Sequence, residues 1–60
     1  MTHAEQAYTH ADKAIAHYQK LLAGSLSHTQ RERARLELIR MVFARAAALR
    51  QMEDAEQVAA

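Results

Sequence analysis

At 60 residues the chain is one small domain at most, half of it apolar, a quarter charged, with formal net charge +1. The absence of Cys excludes a disulfide scaffold, a cysteine-based zinc site and a redox thiol. No Pro, one Gly and 14 Ala against three aromatics argue against an all-β domain and predict an all-α one.

The first element carries a near-repeat of seven residues: Thr2 to Tyr8, then Thr9 to Ile15, then more loosely Ala16 to Leu22. Its apolar positions Ala4, Tyr8, Ala11, Ile15, Tyr18 and Leu22 are spaced 4, 3, 4, 3, 4. That spacing is the seam of a helix packed lengthwise on another. Ala7, Ala14 and Leu21 are expected to widen the seam, as in a bundle helix. A helix is predicted from about residue 3 to 23. Gly24 is expected to take the left-handed conformation just past its end, with Lys20 favourable in the last turn.

Residues 24–28 are the only loop candidate. Two capping boxes compete for the next start, Ser27 with Gln30 and Thr29 with Glu32, and the second is preferred. A helix is predicted over about 29–57, so that the chain is a single antiparallel helix-turn-helix hairpin. So short a loop makes the two helices neighbours.

The second helix carries more apolar surface than one partner helix covers. Leu36, Ile39, Phe43 and Ala46, with Val42 beside them, form a stripe that is expected to receive the Tyr8/Ile15/Tyr18/Leu22 seam. Leu38, Met41, Val42, Arg45, Leu49 and Met52 then form a second strip, expected to face a partner. Its methionines suit an adaptable contact. A chain of this size buries a small share of its surface, so self-association into a homodimeric four-helix bundle is expected. Charge order suggests a register. Arg31, Arg33 and Arg35 open the second helix, and Glu53, Asp54 and Glu56 close it. An antiparallel pairing centred between Phe43 and Ala44 sets Arg31 against Glu56, Arg33 against Asp54, and Leu38 against Leu49. Exposed pairs of this kind fix register more than they add affinity.

Chemistry-bearing motifs are few. His3, His10 and His17 repeat every seven residues, about 10.5 Å apart on one helix edge, too far for two of them to share one ion. A solvated edge is the expectation, with a pH-sensitive partner edge as the sharper alternative. Ser25 and Ser27 lie beside His28 without an acid to orient it, and a loop Ser there reads as a cap rather than a nucleophile. A lone Gly24 makes no phosphate cradle. No catalytic, cofactor or metal residue is assigned, and no small-molecule substrate is expected. Six Arg between Arg31 and Arg50 give that stretch net +4, but they point several ways around the helix, whereas a DNA-reading helix gathers them on one side.

Residues Met1 to Glu5 lack the pattern of a secretory leader, and no apolar run approaches the length of a membrane span. A cytoplasmic location is expected. The sequence is thus read as a non-enzymatic protein–protein interaction module: an adaptor, an assembly cochaperone or an inhibitor of a regulatory protein. The alternatives are a small basic dimeric nucleic-acid-binding protein and a structural subunit of a larger assembly.

Overall fold

A computed structural model gives the fold and describes the backbone of residues 2–59 and the side chains of residues 2–55. Two helices, α1 (His3–Ala23) and α2 (His28–Ala59), form an antiparallel hairpin, and the described residues include no strand. The all-helical hairpin expected from composition and periodicity is therefore present.

Thr2 starts α1. Its hydroxyl accepts from the Glu5 backbone N–H at 3.1 Å, and its carbonyl takes the Gln6 N–H at 3.0 Å. Glu5 in the first turn is placed favourably for the helix dipole. At the other end, Gly24 departs from the left-handed turn expected of it. Its φ of −93° and ψ of −174° are extended, and its N–H donates to the Leu21 carbonyl at 3.1 Å. A side chain does the capping instead. Arg31, from the first turn of α2, donates through Nη1 to the Leu22 carbonyl at 3.1 Å and through Nη2 to the Gly24 carbonyl at 3.4 Å. With those acceptors satisfied by a guanidinium, α1 does not need a left-handed cap.

The start of α2 is the Ser27 box, not the preferred Thr29 one. Ser27 Oγ accepts from the Gln30 N–H at 3.2 Å, and Gln30 Oε1 accepts from the Ser27 N–H at 3.0 Å. The first turn of α2 holds no acid, so this reciprocal pair is its main stabilising device. With the start two residues earlier, Arg31 lies in the first turn and reaches the end of α1. Thr29 lies inside the helix.

Counting outward from the Arg31–Leu22 contact, the main buried and half-buried series are Tyr18, Ile15, Ala11, Tyr8 and Ala4 on α1 and Ala34, Leu38, Met41, Arg45 and Ala48 on α2. Both series alternate spacings of three and four, the signature of lengthwise packing. Of the α1 residues expected to widen the seam, Ala14 is half-buried while Ala7 and Leu21 are exposed. The buried set is small: Ala11, Ile15, Ala34 and Ala48. Ile15 is its single large side chain.

The molecule is a rod of 49 × 16 × 13 Å, and its 49 Å length is essentially that of α2, about 48 Å at 1.5 Å per residue. Its radius of gyration of 14.3 Å compares with about 10 Å for a compact 60-residue chain. None of the described helices is long and apolar enough to cross a membrane.

Two substitutions check the helix ends by urea or thermal unfolding. Gly24→Ala meets only the Leu21 carbonyl, at 3.5 Å, and is expected to be neutral or to stabilise by about 0.4–1 kcal/mol. A left-handed glycine would instead show a loss. Ser27→Ala is expected to cost about 1 kcal/mol, and Thr29→Ala much less.

Candidate functional site

The two apolar strips of α2 have the opposite roles from those expected. Ala34, Leu38, Met41, Arg45, Ala48 and Met52 are buried or half-buried along the α1 side. The other strip is left outside: Phe43 is 72% exposed, Leu36 58%, Ile39 48%, Leu49 44% and Val42 42%. The expectation that Leu38, Met41, Arg45 and Met52 face a partner is therefore corrected. Only Val42 and Leu49 of that set lie on the open face.

Size matching explains the choice. The α1 seam is bulky at Tyr8, Ile15 and Tyr18. The α2 strip that meets it is small at Ala34 and Ala48 and flexible at Met41 and Arg45, which permits close approach of the helices. Phe43 and Ile39 would set bulk against bulk.

Arg45 strengthens the same choice. Rather than making a directional contact to a partner, its Nη1 donates to Asp12 Oδ1 of α1 at 2.7 Å, the one ion pair between the helices among the described residues. The side chains are 35% and 55% exposed, so the pair orients the helices and contributes no more than about 1 kcal/mol.

The other proposed register charges divide. Arg31 is committed to the end of α1 and is not available to face Glu56, whose side chain lies outside the described residues. Arg35 lies 3.9 Å from Glu32, with both side chains well exposed. Arg40 pairs with Glu37 at 3.2 Å. Arg33, Arg50, Glu53 and Asp54 are exposed and make no ion pair among the described residues. With Leu38 turned inward and Arg31 engaged, the register centred between Phe43 and Ala44 loses two of its three contacts.

The open face of α2 is thus built from Leu36, Ile39 and Phe43, flanked by Val42 and Leu49, with small Ala46 between them. At 100° per residue these positions occupy one continuous arc, some 140° wide. Glu32 and Arg35 border its N-terminal end, and Arg50 and Glu53 its C-terminal end.

Elsewhere, an open groove of about 530 Å³ runs between the helices near the turn, lined by Tyr18, Leu21, Leu26, Gln30, Arg33, Ala34 and Glu37. Glu37 is its sole carboxylate and is held by Arg40. His3, His10 and His17 are all exposed, and His17 packs edge-on against Tyr18 with ring centroids 5.3 Å apart. No group of three potential metal ligands occurs among the described residues. No family model, curated protein or solved structure matches this chain.

Truncation separates the two strips. In dilute protein, Leu38→Ala is expected to lower unfolding stability by about 1–2 kcal/mol, the cost of a half-buried leucine. Leu36→Ala is expected to cost less than about 0.5 kcal/mol. Equal losses, or the reverse order, would contradict the assignment of faces.

Proposed function

We propose that this chain is a non-enzymatic protein–protein interaction module and that the open face of α2 is its working surface. The observation that carries this reading is the exposure of Leu36, Ile39, Val42, Phe43 and Leu49 together on one arc. Scattered apolar residues are ordinary on a protein surface, whereas a contiguous patch marks an interaction site. Phe43 and its aliphatic neighbours have the character of anchors that drive binding when they are desolvated, with charged residues at the rim.

Surface area supports the same reading. The chain exposes 4910 Å², against about 4,000 Å² for a compact protein of its mass, roughly 900 Å² more. A standard interface covers about 800 Å² per partner. Pairing of two hairpins into a four-helix dimer through α2 is the assembly that suits a helical face of this kind. In a cell, such a module fits the role of an adaptor, an assembly cochaperone or a small inhibitor in the cytoplasm.

A protein partner is favoured over nucleic acid because half of the six arginines are engaged within the hairpin. Arg31 caps α1, Arg45 holds Asp12 and Arg40 holds Glu37. Arg33, Arg35 and Arg50 lie on different sides of α2, which is no stripe for a phosphate backbone.

Light scattering on the purified chain, with and without duplex DNA, tests this reading. The unmodified protein is expected to run heavier than its 6.8 kDa chain mass, and Ile39→Lys with Phe43→Lys is expected to return it to a monomer that remains helical by circular dichroism. Steeply salt-dependent DNA binding, unaffected by those two lysines, would overturn it.

A further inference from the structure

Resting on that reading, we propose that the occupant of the open face is α2 of a second copy, antiparallel about a twofold axis at the level of residue 41. In this register Leu36 meets the partner's Ala46, Ile39 meets the partner's Phe43, and Glu32 meets the partner's Arg50. Each contact occurs twice.

Several observations converge on it. Glu32, Leu36, Ile39, Phe43, Ala46 and Arg50 are spaced 4, 3, 4, 3, 4, the seam of a second lengthwise packing on the side of α2 away from its own α1. The seam is apolar in the middle, acidic at one end and basic at the other. Only an antiparallel twofold pairing places unlike charges together at both ends; a parallel one sets Glu32 on Glu32 and Arg50 on Arg50. Sizes also match, large Leu36 on small Ala46, with Ile39 and Phe43 filling the centre.

Neither end charge is tied down in the hairpin. Arg50 has no ion-pair partner among the described residues, and Glu32 has only an exposed contact to Arg35 at 3.9 Å. The excess surface of the hairpin is of the order that one side of a dimer interface covers.

A competing register, displaced by six residues, pairs Arg35 with the partner's Glu53 and Ile39 with the partner's Leu49. It leaves Leu36 and Phe43, the two most exposed large apolar residues of α2 among the described residues, at the margin. The register centred on residue 41 covers both.

Complementary charge reversals test the register by sedimentation at low ionic strength. In Glu32→Arg homodimers both end pairs become cation on cation, and in Arg50→Glu homodimers acid on acid. Each variant alone is expected to dimerise about tenfold more weakly, from two exposed pairs lost and replaced by repulsion. An equimolar mixture restores both unlike pairs and is expected to form a heterodimer near the parent affinity, as is the double variant with itself. Arg35→Glu mixed with Glu53→Arg serves as the control and is expected to show no such preference.

Preferential pairing of the control, or no rescue in the Glu32/Arg50 mixture while the parent still dimerises, overturns the register and leaves the interaction surface standing. A parent that stays monomeric at millimolar concentration overturns the second copy as occupant. All four positions are exposed, so the hairpin is expected to stay folded, with unchanged circular dichroism in each variant.

Discussion

A two-helix hairpin buries one stripe of each helix, and α2 carries two. That mismatch governs the molecule. The stripe that packs on α1 is small at Ala34 and Ala48 and flexible at Met41 and Arg45, and Ala34 lines one groove with Tyr18 of α1. The resulting core holds three alanines and Ile15. Because alanine side chains bury little area, burial within the hairpin contributes modest stability, and much depends on polar fittings. Those are the Thr2 and Ser27 caps, the Arg31 guanidinium over the end of α1, and the Arg45–Asp12 bond.

Those fittings also account for what was legible in the sequence. The α1 seam is readable residue by residue because Ala4, Tyr8, Ala11, Ile15, Tyr18 and Leu22 form the one apolar series on a helix whose other faces, Leu21 apart, are polar or small. On α2 the same test was ambiguous, since Leu, Ile, Met, Val and Phe fall on several sides. On spacing alone Leu36, Ile39 and Phe43 read as the internal strip, Arg45 as part of the partner-facing one and Arg31 as a register-setting charge. The deciding information was long-range. Arg45 finds Asp12 on α1, and Arg31 finds the carbonyls of Leu22 and Gly24. Neither partner is visible from the periodicity of α2. The cap at Ser27 and the extended Gly24 follow from the same fact, because the Arg31 contact fixes the turn.

The exchange of strips preserves the surplus apolar face and changes which residues form it. With Leu38 and Met41 inside, the open surface is led by Phe43 and Leu36, and its charged borders become Glu32 and Arg50 in place of the Arg31 and Glu56 pair first expected. The two sides of α2 then divide the labour. One side, lined with alanine, methionine and arginine, holds the hairpin together. The other, lined with leucine, isoleucine, valine and phenylalanine, is the stronger apolar surface, is left exposed, and is the one we propose for association. On that proposal folding and assembly are coupled through a single helix, since a second copy on one side would stiffen the element whose other side carries the core.

Phe43 is the only phenylalanine in the chain and the most exposed large apolar residue among the described residues. Fluorophenylalanine therefore labels the open face at one point, and the fluorine resonance followed through a dilution series reads its cover directly. The account requires two environments, a solvent-exposed one at low concentration and a buried one that grows at high concentration. A single solvent-exposed resonance that does not change with concentration would contradict it.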